Sequence, residues 1–217
     1  MNIELARFNM IEQQIRPWEV LDQAVLSLLA VVKREDFVPP AYKALAFVDT
    51  EVPLPGGQSM LEPKVEARLL QELAVHKHER VLEVGAGSGY MAALLAHKAQ
   101  HVTTLEISPE LATLASTNLR RAGVMNVSVR ALDGAAGAPA DAPFDVILLS
   151  GSVAEVPPAL LAQLKVGGRL AAIVGRLPVM RAVLITRSGE HAFHTVALFD
   201  TVAPRLAGFG EPSQFRF

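Results

Sequence analysis

The sequence predicts an α/β fold: a mostly parallel central sheet with helices on both faces, an antiparallel C-terminal edge and a helical cap at the N-terminus. Three observations lead there. From residue 80 onward, short apolar runs alternate with stretches of helical period. Near the C-terminus, VMRAVLITRSGEHAFHTVALFDTVA reads as two strands joined at a Ser-Gly-Glu turn. Before residue 44 the apolar residues recur only at helical spacing.

The cap comes first. IELARFNMIEQQI and VLDQAVLSLLAVV predict two helices broken at RPW, and the paired prolines of KREDFVPP stop the second. Residues 44–62 show no period and read as an extended loop, followed by a helix from Pro63. RVLEVG is the first strand, GYMAALLAHKA a helix, HVTTLEI the second strand and SPELATLASTNLRRAG the next helix. Ser108 suits the N-cap of that helix, Pro109 its first turn and Glu110 the positive end of its dipole. VSVRALD, FDVILLSG and RLAAIVG supply three more strands, with PPALLAQLK as a helix and Gly167-Gly168 as a turn before the last. Strands joined by helices of this size form a parallel sheet with right-handed crossovers. The simplest division is one domain over 1–217: a cap at 1–43, a loop at 44–62 and a core at 63–217.

Composition narrows the function classes. With 51% hydrophobic and 19% charged residues the chain is globular rather than disordered. Twenty basic against 22 acidic residues give a net charge of −2, and no basic run tracks phosphates, so no nucleic-acid partner is expected. The lack of cysteine removes disulfides and thiolate metal sites and fits a reducing compartment. Glu4, Arg7 and Glu12 interrupt any early apolar core, and the longest uncharged stretch, VGAGSGYMAALLAH, falls short of the ~20 residues a membrane helix needs. The expectation is a cytoplasmic protein without a membrane partner. No metal is expected either: His76 and His78 have no carboxylate or thiolate partner in sequence, and His191 and His194 fall on opposite faces of a strand.

The strongest chemical signal is VLEVGAGSGY. Gly85, Gly87 and Gly89 alternate between a strand and a helix, where glycine permits a tight turn and a close approach of backbone to ligand. The dinucleotide pattern would need glycine where Tyr90 stands, which speaks against a pyrophosphate. Glu106 ends the second strand and can accept from both hydroxyls of a ribose. Asp133 ends the third strand and can accept from an exocyclic amine. These strand ends share one sheet edge, and a nucleoside with a short charged tail and no phosphates fits them.

At this point the chain resembles the class I S-adenosylmethionine-dependent methyltransferases, which are Rossmann-like, and within them the protein-L-isoaspartate O-methyltransferase family. KREDFVP, AFVD, GQSMLEP, VLEVGAGSGY, LDGAAG, PFDVILLSG, VPPALLAQLKVGGRL and TVALFDTVAP echo family segments in order. The resemblance implies S-adenosylmethionine as cofactor, no metal, and methylation of isoaspartyl carboxylates in damaged proteins or peptides. Glu83 and the loop Gly85, Ala86, Gly87, Ser88, Gly89 would hold the methionine end. Glu106 and Ile107 would take the ribose side, and Leu132, Asp133 and Gly134 the adenine.

The resemblance also implies that Gln58, Ser59, Met60 and Leu61 cover the methyl group and the substrate, with Ser59 as the catalytic hydroxyl. The family loop reads GQTISQP, so Leu61 and Glu62 replace a serine and a glutamine. Leu61 cannot donate a hydrogen bond, and losing a buried partner costs ~1–3 kcal/mol. Glu62 facing the site would repel an anionic acceptor about 4 Å away by ~4 kcal/mol at an effective dielectric near 20; its plainer reading is a carboxylate at a helix N-terminus. Three readings stay open: an isoaspartyl methyltransferase, a methyltransferase of this fold with another acceptor, and an inactive cofactor-binding relative. Asp49 is a further site candidate, Tyr90 is expected to pack against the sheet, and Trp18 to anchor the cap.

Overall fold

A computed structural model describes residues 2–211. Seven strands form the main sheet: β1 (Arg80–Val84), β2 (His101–Glu106), β3 (Val127–Ala131), β4 (Phe144–Val153), β5 (Leu164–Arg176), β6 (Val179–Arg187) and β7 (Phe193–Thr201). Their spatial order is β3-β2-β1-β4-β5-β6-β7. The first five run parallel, and β6 and β7 add antiparallel. The chain works outward from β1 to β3 and then returns to β4, so strand order reverses between β1 and β4. In open α/β sheets that reversal opens a crevice at the carboxyl ends of the strands.

The helices are α1 (Ile3–Met10), α2 (Gln23–Val31), α3 (Pro63–Leu73), α4 (Tyr90–Lys98), α5 (Pro109–Arg121) and α6 (Pro158–Ala162). Strand alternation divides the core into two faces. Val146 and Leu148 of β4 pack with the cap, α3 and α4; Ile147 and Leu149 pack with Leu160 of α6 on the other face. Continuous apolar runs in the parallel strands follow from burial on both sides. Ser108 caps α5 through Leu111 N, as its sequence signals require.

Several boundaries differ from the sequence reading. After Met10 the backbone passes through a π-turn (Ile11–Ile15) and a 3-10 turn (Arg16–Trp18), and Asp22 caps α2 by accepting from Ala24 N. The PPALLAQLK helix shrinks to five residues, because Gln163 turns inward: its amide donates to the carbonyls of Ala136 and Ala159 and accepts from Ala138 N. Leu164 already belongs to β5, so Gly167-Gly168 make a register irregularity inside that strand rather than a turn before it. Within 44–62, Val52 and Pro53 pair antiparallel with Met60 and Ser59, which pins the loop into a small hairpin.

Trp18 meets Phe199 of β7 edge to face at 5.1 Å and carries Lys64 over its ring, anchoring the cap. Deeper in, Arg34 is fully buried. Its Nη1 pairs with Glu66 Oε2 of α3 at 2.5 Å, its Nη2 donates to the Leu61 carbonyl at 2.9 Å, and it lies over the ring of Tyr90. Tyr90 itself is buried against Phe37, in keeping with the expected packing role.

Removing one member of a buried pair strands the other charge. Arg34→Met should therefore lower unfolding free energy by about 3 kcal/mol. Adding Glu66→Met should recover much of that, since an apolar pair needs no compensation. Urea unfolding of the single and double variants measures both.

Candidate active site

The crevice at the strand reversal is lined by the turn after β1, the end of β2 with the start of α5, Gly134 after β3, Ser150 within β4, the 54–59 loop, and Leu206 and Ala207 beyond β7. The turn after β1 has Gly85, Gly87 and Gly89 all at positive φ. Side chains are tolerated poorly there. At Gly89 a Cβ would also stand 3.1–3.2 Å from the backbone of Ala115, so the glycine lets α4 and α5 approach closely. Gly85 N and Ala86 N donate to the Leu105 carbonyl, which ties the turn to β2.

Glu106 closes the turn from the other side. Its Oε2 accepts from Gly87 N at 2.9 Å and its Oε1 from Ser108 N at 3.0 Å. The carboxylate is buried yet lines the crevice, and each oxygen keeps a lone pair for a ligand hydroxyl. Ile107 and Gly134 share the wall. Asp133 is spent differently: its Oδ1 accepts from Ala135 N and caps the short turn Gly134–Ala136.

Glu83 lies beneath the turn, fully buried. Thr104 donates to its Oε2 at 2.6 Å and Ser150 to its Oε1 at 2.8 Å. Burial pushes this carboxyl up to about 8, outweighing both hydroxyls, with the nearby Glu66 and Glu106 charges adding to the rise. Burial likewise pushes Glu66 up to about 7 against the pull of Arg34. The two acids line one small cavity with Ala86, Ser88 and Ser150.

The covering loop divides its residues between these spaces. Gln58 and Ser59 face the crevice, while Met60 and Leu61 are buried and line the small cavity behind it. Glu62 turns aside and pairs with Lys64 at 3.2 Å, and Asp49 pairs with the same ammonium at 2.6 Å. Glu51 sits beside Ser59 in a second cleft. Burial raises the Glu51 carboxyl, the Ser59 side chain opposes the rise, and Glu62 adds to it.

Of the residues singled out in the sequence, Gln58, Ser59, Gly85, Gly87, Glu106, Ile107 and Gly134 converge on the crevice, and Met60, Leu61, Glu83, Ala86 and Ser88 on the cavity behind it. Gly89, Leu132 and Asp133 flank these walls rather than form them, and Asp49 points at Lys64. Sequence reasoning missed Arg34, Glu51, Glu66, Thr104 and Ser150. Glu66 had left a signal: it stands on the buried stripe with Leu69, Leu70 and Leu73, an acid where the period demands an apolar side chain. Among the described residues no group of three or more His, Cys, Asp or Glu side chains converges to hold a metal, and no helix is long and apolar enough to cross a membrane.

Comparison with known proteins agrees with this geometry. The family model for protein-L-isoaspartate(D-aspartate) O-methyltransferase matches residues 6–199. A protein-L-isoaspartate O-methyltransferase of Koribacter versatilis is 42% identical over 196 residues, spanning 90% of this chain and 88% of the relative. Among solved structures, a protein-L-isoaspartate O-methyltransferase superposes with a TM-score of 0.80 at 26% identity, over 93% of this chain and 66% of that one. The fold is also shared, at 20% identity and a TM-score of 0.81, by a Plasmodium falciparum protein described as a putative protein-L-isoaspartate O-methyltransferase in complex with S-adenosyl-L-homocysteine; 92% of this chain and 97% of that one are covered.

The raised carboxyls set a pH dependence. The folded chain retains protons on Glu83 and Glu66 that the unfolded chain releases above its ordinary value of 4.5. Their stabilising contribution is complete below that value and lost as pH rises through about 7 to 8. The urea midpoint of the ligand-free protein should fall across this range, and Glu83→Gln should flatten the fall.

Proposed function

The chain belongs to the protein-L-isoaspartate(D-aspartate) O-methyltransferase family, and on that premise we propose that it methylates the carboxylate of isoaspartyl residues in proteins and peptides. It is an enzyme of the S-adenosylmethionine-dependent protein carboxyl methyltransferase class. One observation carries the reading. At the reversal of strand order, a left-handed glycine turn, a buried acid at the end of β2 and a second acid beneath the turn meet under a loop that closes the crevice.

These residues fit S-adenosylmethionine, which when bound supplies a methyl group on a positively charged sulfur. Glu106 offers its free lone pairs to the ribose hydroxyls. Glu83, with Gly85, Ala86, Gly87, Ser88 and Gly89, takes the cationic methionine end, and ionisation of Glu83 there gains a counter-charge. Ile107, Leu132 and Gly134 border the adenine, with the second oxygen of Asp133 left to accept from its amine. Metal plays no part in this chemistry.

The acceptor needs no general base, because a carboxyl group with a pKa of ~4 is ionised near neutrality. What the chain supplies is alignment and exclusion of water. Gln58 and Ser59 close the crevice with Met60 packed behind them, and Ser59 is the hydroxyl within reach of the acceptor side. Leu61 serves by packing and by its carbonyl, which Arg34 holds. Glu62, paired with Lys64, leaves the acceptor unopposed. A cysteine-free chain suits a reducing compartment, which supports the cytoplasm as its place of work.

Label from S-adenosylmethionine should appear on an isoaspartyl peptide and not on the same peptide carrying ordinary aspartate. Wild type silent on both, with activity gained in Leu61→Ser, would overturn the assignment of the acceptor. Glu106→Ala should raise the dissociation constant for S-adenosylhomocysteine about tenfold or more, the loss expected for two charge-assisted hydrogen bonds. Unchanged affinity by calorimetry, with the fold intact, would remove Glu106 from the ribose.

A further inference from the structure

We propose that Arg176 and Arg205 form a carboxylate-binding site for the acceptor peptide, held in this structure by the chain's own Glu211. The proposal rests on the methyltransferase reading above. Beside the covered crevice lies a second, more open cleft, and Ser59 borders both. One wall carries Glu51 and Gly57, and the other carries Arg176 and Arg205.

The arginines are placed by backbone. Arg176 ends β5. Arg205 extends the end of β4 as an added parallel rung: Ser152 N donates to the Pro204 carbonyl and Leu206 N to the Ser152 carbonyl. The Arg205 Nη2 also donates to the Gly175 carbonyl at 2.9 Å, which fixes the guanidinium beside β5. Among the described residues, the carboxylate of Glu211 lies between the two. Glu211 Oε1 is 2.9 Å from Arg205 Nε, and its Oε2 is 3.2 Å from Arg176 Nε. Each guanidinium thus meets one oxygen of the same carboxylate in a charge-assisted contact.

All three side chains remain partly exposed, with Glu211 half-exposed. Such a contact is weak and exchanges readily. A carboxylate presented by a bound peptide can therefore take the place of Glu211. The cleft is electrically lopsided, with Glu51 on the loop side and the two arginines opposite. That asymmetry favours a peptide lying with its anionic group against β5. The ligand chemistry is a peptide carboxylate, from an acidic neighbour of the isoaspartyl residue or from a chain end.

Three fluorescent isoaspartyl peptides test this by anisotropy with S-adenosylhomocysteine present: one amidated with a flanking glutamate, one amidated with glutamine there, and one with glutamine and a free C-terminal carboxylate. Arg176→Gln/Arg205→Gln should weaken the glutamate or free-end peptide about tenfold, and the one affected names the source of the carboxylate. Equal loss on all three would assign the site to the acceptor carboxylate itself. Glu211→Gln, which leaves the arginines in place, should tighten the same peptides. Wild-type affinity of the double variant for every peptide, or no gain from Glu211→Gln, overturns the proposal. Methylation of the amidated glutamine peptide by wild type is read separately, so failure of the isoaspartyl reading shows there and not in the binding ratios.

Discussion

The guanidinium of Arg34 is the contact on which the site's geometry depends. It has no access to water, and burying it costs several kcal/mol that only its partners can offset. Those partners come from separate parts of the chain: the carboxylate of Glu66 on α3, the carbonyl of Leu61 in the covering loop, and the ring of Tyr90 at the start of α4. If any one moves, a buried charge loses compensation. The cap, the loop and the first turn after the glycines are thus held in one arrangement by one side chain. A second buried pair, Arg7 with Glu35, ties α1 to the residue next to Arg34. The cap is therefore part of the site's support and not an ornament on it.

The acids of the site work at different depths, and depth decides what each can do. Glu83 sits under the sheet's edge with only hydroxyl partners, so it holds its proton until a cationic group arrives. Glu106 receives two backbone N–H groups, which fix its orientation at the crevice wall. Glu51 lines the outer cleft together with Ser59, and burial raises its carboxyl. One kind of side chain thus occupies a fully buried position, a wall fixed by backbone donors and a partly open cleft.

What could be read in the sequence was whatever depends on neighbours along the chain. The alternation of strands and helices, the glycine turn, the caps of α5 and the strand-end position of Glu106 are all local, and they appear where expected. What escaped depends on contacts between distant residues. Arg34 and Glu66 are 32 residues apart, and Ser150 meets Glu83 across 67. The short α6 has the same origin, since Gln163 leaves the helix to satisfy backbone groups of the 136–138 turn. Glu66 is the instructive case. Its place on an apolar stripe announced a buried acid, but nothing local named the arginine that receives it.

Leu61 shows how a substitution can be misjudged from its side chain alone. A leucine in place of a serine suggests a lost hydroxyl at the acceptor. In the folded chain the leucine side chain points into the cavity behind the crevice, and what the position gives its surroundings is its carbonyl, bound by Arg34. Any residue type preserves that bond. The hydroxyl of this loop belongs to Ser59, which borders both clefts, with Glu51 beside it in the outer one. Position 61 thus acts through its backbone, clamped by Arg34, and the hydroxyl that the loop presents at the junction of the two clefts is that of Ser59.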